Sequence, residues 1–130
     1  MIKAFDRPAD IFLADSAETP EFFLLSRRKW QGCPSVEISA GGRIYAAWYS
    51  GGPREPDMDN YCILASSGDG VTFRELYYIK QPLSDGGRVL DIQLWRSPDG
   101  LLRIFWVGTA CRSEADRSGD LMADYFDGRF

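Results

Sequence analysis

The sequence has no histidine among its 130 residues. Within these residues there is accordingly no Ser-His-Asp triad, no Cys-His nucleophile pair and no His-ligated zinc, so proton transfer would rely on carboxylates, tyrosine, lysine or water. Cysteine is scarce too: Cys33, Cys62 and Cys111 are too widely separated for the C-x-x-C spacing of zinc or redox sites, and their odd number argues against a disulfide framework. We therefore expect no metal and no cofactor.

Basic charge and long apolar runs are also limited. The chain has 15 Lys and Arg against 19 Asp and Glu, a net charge of -4, and a pI near 4.8. This balance argues against nucleic acid or an anionic lipid surface as a partner, although it is compatible with a local cationic pocket. Residues 1–10 are rich in charge and contain no apolar run long enough for a signal peptide or a membrane span. We expect reduced thiols and, by default, a cytoplasmic location.

The sequence does contain a series of short apolar segments. An apolar content of 45% and an aromatic content of 14% suffice for a packed core. The segments are rich in aromatic and branched side chains, lie between clusters of Gly, Pro, Asp and Ser, and show no helical period. They predict an all-β fold, as a sandwich, barrel or propeller. The predicted strands are 22–25, 35–38, 44–49, 61–65, 73–79, 89–95, 101–107 and 121–126.

An internal repeat separates these architectures. The stretch 36–38 corresponds to 92–94 at a spacing of 56, which predicts a two-residue difference in the first turn. A four-stranded unit repeated at this length is typical of a β-propeller blade, whereas sandwiches do not repeat internally in this way. Three features recur after 58 residues: Gly42 and Gly100, Trp48 and Trp106, and the pairs Asp69-Gly70 and Asp127-Gly128.

The repeat predicts about two four-stranded antiparallel blades of a propeller with six or seven blades when complete. Residues 1–33 are an entry segment with one strand, residues 34–80 the first blade, and residues 88–130 a second blade without its outer strand. Two blades leave exposed faces and edges. The predicted partners therefore include the remaining blades of a longer chain or, as a second interpretation, further copies of this one.

One segment carries a family motif. Residues 67–73, Ser-Gly-Asp-Gly-Val-Thr-Phe, resemble the Asp-box (BNR) repeat S-x-D-x-G-x-T-W of sialidase-type propellers, with one residue fewer between Asp and Thr and Phe in place of Trp. We expect the Asp to cap backbone amides in a turn, the Gly to take a positive φ and the aromatic ring to be buried between strands. In such propellers the box lies opposite the active site. Its predicted structural residues are Ser67, Asp69, Gly70, Thr72 and Phe73.

The resemblance extends over about 100 of the 130 residues. Outside the box it is carried by 30–34, 42–52, Glu55, 60–61, 88–91, 94–95, 97–100, 105–106 and 127–129, which are similar to the opening blades of bacterial sialidase-like BNR proteins. That family includes exo-sialidases, other glycosidases and propeller enzymes that cleave uronic-acid-containing glycans. The sequence departs from it where sialidases have F/Y-R-I-P, because Gly32 stands at the position of the Arg that binds the sialic acid carboxylate. The departure argues against true sialidase activity.

Strand alternation places the charges. If the turns near Gly42 and at 69–70 lie at one end of the blade, the loops 50–59, 80–87 and 108–120 lie at the other. In blades whose other connections are short, such long loops are where function tends to lie. Arg88 and Asp91 begin the inner strand of the second blade and would point towards the central channel. Aromatic side chains at the loop junctions, Trp30 and Tyr49, could stack on a sugar ring.

The resemblance implies an enzyme that cleaves a terminal acidic or uronate-linked sugar from a glycan. Arginines would bind the sugar carboxylate and a carboxylic acid would protonate the leaving oxygen. The candidate catalytic residues are Glu55, Asp57, Asp59 and Asp91. The candidate substrate-binding residues are Arg28, Gln31, Tyr49, Arg54 and Arg88.

Several alternatives stay open. The interpretations of the full-length protein are a hydrolase, a lyase, or a non-catalytic propeller that binds glycan or protein through the same loops. Alternatively, the 130 residues form a complete assembly module. For each candidate side chain the competing interpretation is a solvated loop charge or an internal ion pair, and for Tyr61 it is core packing.

Overall fold

The fold is all-β, as the apolar pattern predicts. The structure is a computed structural model and describes residues 9–55, 57, 59–81 and 87–110. Every strand pairing in this part of the chain is antiparallel. The strands are β1 (Asp10–Leu13), β2 (Gln31–Ile38), β3 (Ile44–Ser50), β4 (Tyr61–Ser67), β5 (Arg74–Lys80), β6 (Gly87–Arg96) and β7 (Leu102–Ala110), with short 3-10 helices at Glu21–Phe23 and Leu25–Arg27.

The strands form two sheets. Sheet A has the order β1-β5-β4-β3-β2, and sheet B pairs β6 with β7. Strands β2 to β5 are the consecutive four-stranded unit expected of the first blade, and they begin at Gln31 rather than at residue 34. Strand β1 was not predicted; it adds a fifth strand beyond β5. The predicted strand 121–126 lies outside the described residues, as does the second Asp-Gly pair.

The hairpins β2–β3 and β6–β7 have the same register at a spacing of 58 residues. Val36 pairs with Ala46, and Leu94 pairs with Ile104. Both hairpins also break their register at equivalent places, where Cys33 and Asp91 have positive φ angles of 49° and 47°. The predicted spacing of 56 and the two-residue difference in the first turn are therefore wrong. The error arose because both hairpins contain alternating apolar residues, and alternation looks the same after a shift of two.

The turns of these hairpins match as well. Gly42 N donates to Ser39 O and Gly100 N to Ser97 O, both at 2.9 Å. Gly42 and Gly100 have φ angles of 83° and 85°, a region in which residues with a side chain are strained. The turn glycines that revealed the repeat in the sequence are thus required by the backbone.

The main core lies between the two sheets. It combines alternate residues of β3 and β4 with the buried face of β6, and partly buried side chains of β7 close it. Trp106 packs against this core, whereas Trp95 is exposed on the outer face of sheet B. The core members are Ala47, Tyr49, Cys62, Leu64, Ile79, Val89, Leu90, Ile92 and Leu94.

The opposite face of sheet A is partly covered by the segment before β2. Phe23 is buried against Tyr61, Ile63 and Tyr78, and Phe22 and Trp48 pack around them. The predicted strand 22–25 is wrong, since Glu21–Phe23 and Leu25–Arg27 are 3-10 helices. The Phe-Phe pair resembles a strand in composition, but its side chains fill the face of a sheet instead of joining its edge. Tyr61 belongs to this core, as the packing interpretation predicted.

The Asp-box segment forms a tight turn between β4 and β5. Asp69 Oδ1 accepts hydrogen bonds from Val71 N at 2.9 Å and Thr72 N at 2.8 Å, and Ser67 Oγ accepts one from Gly70 N at 2.9 Å. These amides and the Ser67 hydroxyl lower the pKa of Asp69 to about 2. Gly70 has the expected positive φ of 76°.

The aromatic residue of this segment departs from expectation. Phe73 is exposed rather than buried between strands, because it lies on the loop just before β5 begins at Arg74. A related turn joins β6 to β7: Ser97 Oγ donates to Asp99 Oδ1, and the same carboxylate oxygen accepts Leu101 N at 3.2 Å. Two Ser-x-Asp-Gly turns therefore close hairpins at one end of the described strands.

Candidate functional site

The 51–60 loop, which carries four of the candidate residues, lies at one end of sheet A, while most of the predicted loops 80–87 and 108–120 lies outside the described residues. Strand pairing places Ser50 beside Tyr61 at this end and Ile44 beside Ser67 at the other. The end that contains the 51–60 loop is called the loop end below. The two Ser-x-Asp-Gly turns lie at the opposite end.

Asn60 organises the loop between β3 and β4. This buried side chain donates from Nδ2 to Gly51 O at 2.7 Å and to Arg54 O at 3.2 Å, and its Oδ1 accepts Asp57 N at 2.8 Å. Gly51 is required here, since it has a φ of 88° and a Cβ would clash with the backbone oxygen of Asp59. The amide thus fixes the backbone that displays three of the candidate catalytic carboxylates.

Two of these carboxylates are held near a buried lysine. Asp57 Oδ1 accepts Asp59 N at 2.9 Å. Burial raises the pKa of Asp59, the charge of Asp57 raises it further, and Lys80 opposes both. Lys80 is buried and donates to Gly87 O at 3.1 Å. Burial lowers its pKa to about 8 against the favourable charges of Asp59 and Asp57. Asp57, Asp59 and Lys80 thus form one cluster of charges that influence one another.

Arg88 is buried inside the loop end of the molecule. It is 1% exposed, and its Nη1 donates to Asn60 Oδ1 at 3.1 Å. Val89 N donates to Asn60 O at 3.3 Å, so the start of β6 is attached to the 51–60 loop by side chain and backbone. The described strands do not close around a channel, so the prediction that Arg88 points towards one stays a prediction.

Glu55 and Tyr49 form a hydrogen-bonded pair. The Tyr49 hydroxyl donates to Glu55 Oε1, and Cys33 Sγ lies 3.8 Å from the same hydroxyl. Tyr49 is buried and its ring contacts Trp30 with centroids 4.6 Å apart. Burial, Glu55 and Cys33 all raise the pKa of Tyr49. Tyr49 therefore keeps its proton and positions the exposed carboxylate of Glu55, and its buried ring is not available for stacking on a sugar.

The position where sialidases have an arginine is filled by a neighbouring ring. A Cβ on Gly32 would lie 2.9 Å from two carbons of the Trp30 side chain. Gln31, just before it, accepts a hydrogen bond from Trp48 Nε1 at 2.9 Å. The start of β2 thus packs Trp30 and orients Trp48.

Asp91 is placed by the register break in β6. Its positive φ is unusual for a residue with a side chain. Its charge contributes, after burial, to the raised pKa of Cys62, while Ile92 N opposes the shift. Asp91 thus lies near the inter-sheet core and not among the carboxylates of the 51–60 loop.

Arg28 is engaged beside the Phe23 cluster on the face of sheet A opposite the inter-sheet core. Its Nη1 and Nη2 donate to the two carboxylate oxygens of Glu75 at 2.5 and 2.8 Å, and its Nε donates to Tyr61 OH at 2.9 Å. Two further bonds reach Phe23 O. A carboxylate of this chain already occupies the fork that was predicted to bind a sugar acid. Arg54, by contrast, has an exposed side chain on the loop.

Two residues of the site were missed in the sequence. Asn60 and Lys80 lie at the ends of strands, where polar residues are expected in solvent, yet both are buried. The signal for Asn60 was its position after a Gly-Gly and Asp-rich loop, where an amide can satisfy backbone groups. Lys80 gave no such signal, because its burial depends on β6 and the segment before β2.

Neither a membrane-spanning helix nor a cluster of metal-binding side chains occurs among the described residues. The chain was also compared with known proteins. No family model matches it, and no curated protein or solved structure shows significant similarity to it.

Proposed function

We propose that the two sheets are adjacent blades of a β-propeller. The supporting observation is the common register of the β2–β3 and β6–β7 hairpins at a spacing of 58 residues, including the break at Cys33 and Asp91. Strand β6 also packs against β2, so the first strands of the two units are neighbours. Radial repetition of four-stranded units around an axis brings first strands together in this way.

We further propose that the loop end acts on an acidic or uronate-linked sugar of a glycan, with Glu55 as the acid/base residue. The observation that carries this proposal is the Tyr49–Glu55 pair: an exposed carboxylate is held by a buried phenol on a loop fixed by Asn60. A carboxyl group so positioned could protonate a leaving glycosidic oxygen. Arg54, with an exposed side chain on the same loop, would attract the sugar carboxylate.

The same geometry supports a second candidate function, a glycan-binding module without catalysis. Arg28 is bound to Glu75, and Arg88 is buried on Asn60. Two of the three predicted carboxylate-binding arginines therefore have buried side chains. Recognition of an acidic sugar by Arg54 alone is weaker than by a cluster of guanidinium groups, and this favours reversible binding over tight positioning for reaction.

A glycan panel with terminal sialic and uronic acids distinguishes the two functions. Binding would be measured by array and calorimetry, and product release by mass spectrometry. For an enzyme we expect Glu55→Gln to abolish turnover and Tyr49→Phe to reduce kcat more than it changes KM, with Glu21→Gln as a control, since Glu21 is exposed outside the loop end. Saturable binding without product supports the module. Absence of both binding and turnover would overturn both proposals.

A further inference from the structure

The contact between the two sheets has a simple polar pattern. Ser35 Oγ accepts Leu94 N at 3.0 Å, and Glu37 Oε2 accepts Arg96 N at 3.0 Å. Leu94 itself is buried in the inter-sheet core. Side chains of β2 thus bind the edge of β6 that is not paired with β7.

Because the two hairpins share one register at a spacing of 58 residues, each half of this contact has an equivalent set of residues elsewhere in the chain. Both equivalent sets lie on faces that are exposed in the structure. Ser35 and Glu37 are equivalent to Gln93 and Trp95, which lie on the side of sheet B away from sheet A. Leu94 and Arg96 are equivalent to Val36 and Ile38, which lie on the side of sheet A away from sheet B. The two open faces correspond to the two halves of the contact that is already made inside the molecule.

The open faces are more apolar than the contact they correspond to. Where Glu37 meets Arg96, the equivalent residues are Trp95 and Ile38, which are 47% and 49% exposed. Val36 and Phe105 enlarge the two faces and are 62% and 53% exposed. Apolar side chains grouped in this way on matching faces mark an interaction surface.

The hydrogen-bonding groups also match. Leu94 N is directed away from β7 and towards Ser35, so the same register directs Val36 N away from β3. Gln93 stands at the equivalent of Ser35, and its side-chain carbonyl can accept such an N–H. The open faces therefore repeat both the apolar and the polar parts of the internal contact.

We propose that the Gln93/Trp95/Phe105 face of one copy of this chain binds the Val36/Ile38 face of a second copy, head to tail. The internal contact between sheets A and B argues for this occupant, because the second copy would continue an interface that the chain already forms. Contacts of this heterologous type close into rings when the rotation permits. If each copy contributes two blades, three or four copies would complete a ring within the usual range of blade number. Only this copy number depends on the propeller arrangement proposed above.

Sedimentation velocity and light scattering of the chain over a wide concentration range test the proposal. We expect a discrete trimer or tetramer. Trp95→Glu and Ile38→Glu should each abolish the ring, while Val71→Glu, on an 85% exposed side chain of the Asp-box turn, should leave it unchanged. The milder Trp95→Ala should raise the dissociation constant by roughly 30-fold or more, as expected for truncation of a buried aromatic anchor.

Mixing the two glutamate variants gives the sharpest test. Trp95→Glu retains an intact Val36/Ile38 face and Ile38→Glu retains an intact Trp95 face, so a head-to-tail contact allows one good junction and a 1:1 dimer. A symmetric contact would not be restored by mixing. A wild-type chain that stays monomeric at all concentrations, or an oligomer that survives both Trp95→Ala and Trp95→Glu, would overturn the proposal. Glycan turnover does not enter these measurements, so their failure leaves the proposed function unaffected.

Discussion

Removal of the Glu75 carboxylate should destabilise the fold strongly. The Arg28 side chain is 3% exposed, and that of Glu75 is 29% exposed. Glu75 accepts two hydrogen bonds from Arg28 and one from Tyr78 OH at 2.6 Å. In Glu75→Ala the guanidinium stays buried beside Phe23 O and Tyr61 OH without its counter-charge, and it cannot escape the cost by losing a proton. Loss of one partner of a buried pair costs about 3–5 kcal/mol.

The isosteric variant separates charge from shape. Glu75→Gln keeps one carbonyl oxygen for Arg28 and fills the same volume. The free energy of unfolding should therefore fall by about 1.5–3 kcal/mol, the range for a hydrogen bond to a charged group. Urea unfolding at neutral pH, followed by tryptophan fluorescence, gives both values. The matched control is Glu21→Ala, which removes the exposed 3.5 Å pair with Arg27 and should cost no more than about 1 kcal/mol. If Glu75→Ala and Glu21→Ala cost the same, the attribution to a buried ion pair is refuted.

The pair also predicts a pH dependence. Burial alone raises the pKa of Glu75, but hydrogen bonds from Arg28 and Tyr78 and the charge of Arg28 outweigh it, so the pKa lies below its ordinary value of 4.5. A carboxyl group with a lowered pKa in the folded state stabilises the fold above its unfolded pKa, and this contribution is lost as the pH falls through the folded value. The difference in stability between wild type and Glu75→Gln should therefore be constant at neutral pH and shrink below about pH 4.5.

Three further predictions concern the loop end and the core. The pKa of Lys80 is lowered from 10.5 to about 8 in the folded protein, so the unfolded chain binds more protons between these two pH values. The unfolding free energy of wild type, relative to that of Lys80→Met, should therefore rise from about pH 8 to about pH 10.5 in urea titrations. Gly51→Ala should lower the unfolding free energy by about 2 kcal/mol or more in the same assay, because Gly51 has a positive φ and a Cβ would clash within its loop. The control Gly41→Ala, at a position with open space around it, should change the unfolding free energy by less than about 0.5 kcal/mol. Burial raises the pKa of Cys62, so peptide mapping after alkylation of the native protein should find Cys33 modified and Cys62 protected until unfolding.

Local chemistry made much of this fold predictable. Six of the seven described strands overlap predicted ones, because short aromatic and branched segments between Gly, Asp and Ser turns are a direct signature of antiparallel strands. The end at which the 51–60 loop lies followed from counting strands. Strand β1 was missed since it has only four residues and half of its side chains are exposed. Its position depends on pairing with β5, which is distant in sequence.

The direction of side chains near the register breaks was not predictable. Alternation assigns faces correctly only while the register is unbroken. Cys33 and Asp91 each insert an extra residue opposite the partner strand, and neither residue type signals this in a sequence. The burial of Arg88 against Asn60 was therefore not predicted. The sequence repeat alone does not reveal the break, which becomes apparent only once the common register of the two hairpins is known.

The candidate site narrows to fewer residues once the buried charges are separated from the exposed ones. Arg28 is bound by Glu75, Arg88 by Asn60, and buried Lys80 is influenced by the charges of Asp59 and Asp57. These groups hold the segment before β2, β6 and the 51–60 loop together, so substitutions there would impair activity through folding. Glu55 and Arg54 differ, because their side chains are exposed on a loop whose backbone Asn60 fixes. Glu55→Gln therefore distinguishes a direct role in glycan binding from an indirect effect through folding. A direct role is supported if the variant weakens glycan binding without a loss of stability.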